Sequence, residues 1–192
     1  MDLLLTFWQW AVFGILVIIG YVFSKFHGHG ELRADFDWDE MPHMKPITIP
    51  TKDKGFWTGI LMWLLTVRKW EICEDFLFTL KGKQYKIPAG FQFDGASVPK
   101  FLAMWLSPTG VLLMGGLVHD YGYKYATLMD GQGGNVGYKS RNEMDMLFRD
   151  ISIEVNGFKF LNYLVYWTLV LAGFLAWNKH TKKGTQLEEP NE

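Results

Sequence analysis

From Leu3 to Phe23 the chain reads LLLTFWQWAVFGILVIIGYVF without one charged residue. At about 1.5 Å per helical residue this run is long enough to cross a hydrocarbon layer of roughly 30 Å. The pattern predicts a transmembrane helix, because a small domain rarely buries a helix that is apolar on every side. Trp8 and Trp10 sit near one end and Tyr21 near the other, where amphipathic rings settle among headgroups. A cleaved leader would show a basic n-region, a shorter apolar core and a small-x-small site, and the run has none of these. Only Asp2 and the α-amine precede it, whereas Lys25 and Arg33 follow. By the positive-inside rule the remainder is expected on the cytoplasmic side of a single-pass membrane protein.

Composition narrows the class further. With 19 Lys and Arg against 20 Asp and Glu the net charge is −1, which leaves no basic footprint for phosphates and argues against a nucleic-acid partner. Aromatic residues make up 17% of the chain, nine of them Trp, an excess that suits a protein whose partner is a lipid bilayer. Cys73 is the only cysteine, so an intrachain disulfide and a cysteine-built zinc site are both excluded.

The expected organisation is an anchor over 1–24, a linker over 25–55, one α+β domain over 56–178 and a polar tail over 179–192. The linker stretch mixes Gly, Pro, His and acidic residues without periodicity, and its His27, His29 and His43 read as solvated side chains rather than a metal site. Phe56 to Val67 (FWTGILMWLLTV) is apolar but too short to span, so it is expected at the membrane interface near the anchor. Lys69 to Ile87 reads as strands, with a Lys81-Gly82-Lys83 turn between Phe76–Leu80 and Gln84–Ile87. A short strand over Phe91 to Phe93 leads into the turn-rich stretch from Asp94 to Pro99. A small antiparallel sheet or hairpin is therefore followed by a cluster of helices.

The first of those helices is expected from Gly110 to Tyr125. A second should begin at Ser140, whose spacing to Glu143 is that of a capping box, and stop at Gly157. Met144, Leu147, Phe148, Ile151 and Val155 give it one buried stripe. Phe160 to Trp177 is again charge-free and of spanning length. A second span there would put Lys179, Lys182 and Lys183 opposite Lys25 and Arg33, so a helix packed on the domain is preferred.

Three ordered motifs carry a family resemblance: Ile87-Pro88-Ala89-Gly90-Phe91-Gln92-Phe93-Asp94-Gly95-Ala96-Ser97-Val98-Pro99-Lys100, Val118-His119-Asp120-Tyr121-Gly122-Tyr123, and Ser140-Arg141-Asn142-Glu143-Met144-Asp145. Together with Gly173-x-x-x-Trp177 they resemble the domain of unknown function numbered 1353, found in bacteria and in many bacteriophages and prophages, from about Trp70 to Trp177. The chain departs from that pattern at Phe93, where Thr is usual, at Lys100, where Arg is usual, and at Gly122, where a larger apolar residue is common. Membership implies a fold more than an activity.

The same motifs hold the candidate chemistry. A His-Asp pair at the apolar end of a helix is costly to bury without partners, so His119 and Asp120 either line a cleft or complete a polar network. As chemistry, His119 would be a general base, oriented by Asp94 or Asp145, acting on water or on Ser97. His119, Asp120, Asp94 and Asp145 would equally suit a divalent metal such as zinc or manganese. As architecture, Asp145 would join an exposed ion-pair ladder with Arg141 and Arg149, Ser97 would cap a turn, and Tyr121, Tyr123 and Trp105 would only pack. His119-Asp120-Tyr121-Gly122-Tyr123 also resembles the His-Asp-x-Cys-Tyr of secreted phospholipases, but the disulfides and calcium loop those enzymes need are missing.

Two functions follow as expectations. One is a membrane-anchored, phage- or prophage-associated hydrolase-like protein at the cell envelope, with a site at His119, Asp120, Asp94, Asp145 and Ser97. The other is a non-enzymatic membrane protein for morphogenesis, lysis or superinfection exclusion, partnered by envelope or phage proteins, whose motifs hold the fold together.

Overall fold

The computed structural model describes residues 2–27, 34–66, 69–94, 110–137 and 140–181. Among these residues the chain is an α+β fold of five helices and two small antiparallel sheets. The helices are α1 (Asp2–His27), α2 (Phe56–Leu65), α3 (Leu113–Tyr125), α4 (Arg141–Asn156) and α5 (Lys159–Thr181). One sheet runs β1 (Phe36–Asp37), β4 (Phe76–Leu80), β5 (Lys83–Ile87), β7 (Met129–Asp130) in spatial order. The other runs β2 (Met44–Ile47), β3 (Lys69–Ile72), β6 (Gln92–Phe93).

The β4–β5 hairpin forms where alternation predicts it. Phe76, Phe78 and Leu80 point inward from β4 and meet Tyr85 and Ile87 of β5 across the register Phe78↔Tyr85. Lys81 and Gly82 both take positive φ, 50° and 72°, the pair of left-handed residues that lets a two-residue turn follow the twist of its strands. Inward residues of both sheets join Leu117, Val118 and Tyr121 of α3 and Met144 and Ile151 of α4 in the main core.

Helix α4 is capped as its sequence predicts. Ser140 Oγ accepts from the Glu143 N–H at 3.3 Å and Glu143 Oε2 accepts from the Ser140 N–H at 2.8 Å, while Gly157 ends the helix at φ 72°. Its stripe of Met144, Phe148 and Ile151 is fully buried. α3 lies so close to α4 that a Cβ on Gly115 would stand 2.8 Å from the Phe148 carbonyl oxygen and 2.2 Å from Ser152 Oγ. α5 packs on α4, α3 and α1, and Leu16 of α1 joins Phe148, Val165 and Leu169 in a second apolar cluster. There a Cβ on Gly20 would lie 2.7 Å from the Phe160 carbonyl oxygen, and the Phe23 and Trp167 rings sit 4.8 Å apart.

Three expectations change: the linker, the start of α3 and the end of α5. The stretch expected to be a linker contains β1 and β2, because Phe36 and Met44 find strand partners at Leu80 and Ile72. The Phe36 N–H also donates to Glu154 Oε1 of α4 at 3.1 Å. The glycine-rich loop after Leu128 opens on a strand, β7, and Asp130 Oδ1 folds it back by accepting from the N–H groups of Gln132 and Gly134. α3 starts at Leu113, three residues after Gly110, and α5 continues to Thr181, past the expected start of the tail. Among the described residues no helix is long and apolar enough to cross a membrane, so the spanning reading of Leu3 to Phe23 rests on the sequence.

Candidate functional site

His119 and Tyr123 are four residues apart on α3, so both face the same way, and their rings lie 4.0 Å apart. That face looks onto α4, which Gly122 allows to come close: a Cβ there would stand 1.9 Å from Met144 Sδ. A larger apolar residue at this position would therefore have to displace Met144. Asp145, the neighbour of Met144, is 0% exposed and lies opposite His119 and Tyr123.

His119 is held at both ring nitrogens. Nε2 faces Asp145 Oδ1 at 3.1 Å and Nδ1 faces Asp120 Oδ1 at 3.4 Å, and the ring is 3% exposed. The Tyr123 hydroxyl donates a short hydrogen bond to the same Asp145 oxygen. Asp94 follows β6 and lies close enough to Asp120 for its charge to add to the rise of the Asp120 carboxyl. The structure thus brings Asp94, Asp120, His119 and Asp145 into one connected network, adding Tyr123, while Ser97 and Trp105 lie outside the described residues.

Burial and charge set the protonation of this network. Burial penalises the His119 imidazolium, but hydrogen bonds and charge from Asp120 and Asp145 outweigh it and hold the group above its ordinary value. Burial pushes Asp120 up to about 7, with His119 opposing the rise and Asp94 adding to it. Burial and the Asp145 carboxylate also raise Tyr123, which stays a neutral donor. Burial, helped by Tyr125, pushes Tyr121 up to about 12. Asp120 Oδ2, Asp145 Oδ2 and the Tyr121 hydroxyl are buried and make no hydrogen bond among the described residues.

The ion-pair ladder expected around Asp145 does not form. Arg149 turns to Asp150 at 2.7 Å and stacks over the rings of Tyr163 and Tyr166, and Arg141 donates to the Val170 carbonyl oxygen at 3.1 Å. Each group has a partner elsewhere instead: Asp145 faces His119 and Tyr123 of α3, while both arginines reach α5. Tyr123 was legible through its i+4 spacing from His119, although hydrogen bonding rather than packing is its role. Among the described residues no group of three or more His, Cys, Asp or Glu is arranged to hold a metal ion. What the arrangement can do is store and move a proton at Asp120, which touches the imidazole and whose side chain is still 12% exposed.

Residues 70–170 match the model of the family described as "Protein of unknown function (DUF1353)", and this chain belongs to that family. No curated protein and no solved structure matches the chain.

Proposed function

We propose that the chain is a membrane-anchored, phage- or prophage-associated hydrolase-like protein of the cell envelope, with Asp120 as its acid–base group. The observation that carries this reading is the pair of carboxyl groups, Asp120 and Asp145 from two separate motifs, that hold the two nitrogens of one buried imidazole. Asp120 takes a proton from water, the hydroxide oxygen bonds to an electrophilic carbonyl or phosphoryl centre, and the bond to the leaving group breaks. The leaving group then receives that proton from Asp120. His119 and Asp145 supply the charge behind Asp120, and Asp94 adds to the proton affinity of Asp120. Support for the anchor comes from the charge-free run of α1 and from Trp8, Trp10, Ile15, Ile18, Tyr21 and Phe26, all exposed along that helix.

A second reading is favoured by the depth of burial. With His119 and Asp145 sealed off and both imidazole nitrogens occupied, the network also suits a non-enzymatic membrane protein whose motifs fix the α3–α4 seam. Replacing Asp120 with Asn, which keeps the shape and some hydrogen bonding but cannot take up a proton, separates the two. Melting temperature and turnover of p-nitrophenyl esters and phosphodiesters are read on one preparation. The catalytic reading expects wild-type turnover and a variant that stays folded but turns over at a small fraction of that rate. A variant weaker by about 1–3 kcal/mol that acts like wild type once folded would overturn it.

A further inference from the structure

Helix α2 is apolar around its whole circumference. Phe56, Trp57, Ile60, Leu61, Met62, Trp63, Leu64 and Leu65 are broken only by Thr58 and Gly59. Phe56 is 73% exposed, Trp57 79% and Leu61 57%. None of the packed helix–helix or helix–sheet pairs among the described residues includes this helix. Its place in the chain explains why. Ile47 of β2 pairs with Lys69 of β3, so everything from Thr48 to Arg68 is an excursion from the end of one antiparallel strand pair, and α2 is its tip.

We infer that this tip is a bilayer-inserting element, seated at the boundary of headgroups and acyl chains in a membrane containing anionic lipid. This rests on the reading that α1 holds the chain at a bilayer. A protein partner would cover one face of α2 and leave the other wet, whereas a helix without a polar face is satisfied by a surrounding that is apolar on all sides. Ten residues make about 15 Å of helix, half of a hydrocarbon layer, so α2 dips in and does not cross. Lys52 and Lys54 precede it, Arg68 and Lys69 follow, and Asp53 alone opposes them. Cations at both ends of an apolar insert match anionic headgroups on either side of the dip.

The test places a spin label at one position at a time in the full chain, on a Cys73→Ser background, reconstituted into vesicles of neutral and anionic phospholipid. Labels at Leu61→Cys in α2, Ile18→Cys in α1 and Leu77→Cys on β4 are compared for collision with oxygen, which concentrates in lipid, and with a water-soluble nickel chelate. The label at 61 is expected to meet oxygen and escape nickel, with Leu77 the reverse. A label at 61 open to nickel, or shielded from both, overturns the inference. The Ile18 label judges the anchor separately: lipid-exposed at 18 with water at 61 defeats α2 alone, and the opposite pair defeats α1 alone. As a second measurement, Lys52→Glu with Lys54→Glu should make position 61 more accessible to nickel in the anionic vesicles, and no change would remove the headgroup part of the argument.

Discussion

Between α3 and α4 the chain places a histidine, a carboxylate and a tyrosine hydroxyl at its most buried positions, whereas α1 and α2 leave tryptophans, isoleucines and phenylalanines on the outside. Both arrangements invert the usual partition of polar and apolar groups, and each is tolerable for its own reason. In the seam every buried charge has a counter-charge within hydrogen-bond reach, so the inversion is resolved inside the molecule. On α1 one side packs on α5, and the side chains that stay outside there and on α2, such as Ile18, Trp57 and Leu61, are exposed among the described residues. Burial of polar groups ties the seam to stability, and exposure of apolar groups frees the helix surface from it.

The comparison is most easily broken at Asp145. Asp145→Ala removes the partner of a buried imidazole and of the Tyr123 hydroxyl, and a loss of about 3 kcal/mol is expected from denaturation followed by circular dichroism. A loss well under 1 kcal/mol would mean that the seam is not held by its charges. Gly115→Val comes next. Its branched side chain would meet a backbone carbonyl that cannot swing aside, so overpacking should cost about 2 kcal/mol in the same assay.

A gentler probe is pH. Asp120 and His119 both have folded values above their ordinary 3.8 and 6.5, so the folded chain binds more protons than the unfolded one and loses stability as pH rises. The Asp120 contribution is lost between its ordinary value and about 7, and the His119 contribution above 6.5. Melting temperature should therefore fall steadily from pH 5 to pH 8, and Asp120→Asn should flatten the lower part of that slope. An unchanged slope in the variant would remove Asp120 from the account. The smallest effect belongs to the other region. Leu61→Ser should leave folding stability within about 0.5 kcal/mol, since the side chain has little to lose on the folded side. A larger cost would show that α2 is packed within the fold after all.

What could be read from the residues follows this division. The hairpin turn at Lys81-Gly82, the cap at Ser140, the stop at Gly157 and the stripe through Phe148 are local patterns in which the responsible residues lie within a turn or two of one another. The pairing of His119 with Asp145 was legible for a different reason: scattered polar residues beside apolar runs need one another. β1, β2 and β7 were not legible, because strands of two to four residues show no period and exist only through distant partners such as Leu80 and Tyr85. The ladder around Asp145 went astray because i, i+4 spacing says which charges can meet but not which face of the helix is covered.

The contact between α1 and α5 has a consequence for how the chain comes into being. Gly20 is synthesised long before Phe160, the residue whose carbonyl it must approach. The sheets and the α3–α4 seam are complete in sequence before α5 follows. During translation, then, the apolar surface of α1 emerges while α5, its main helical partner among the described residues, is still unmade, and an unpaired apolar helix at a ribosome exit is a hazard for aggregation unless something else receives it first. Docking of α5 onto Gly20 thus joins two helices whose synthesis is separated by nearly the whole of the α+β fold between them.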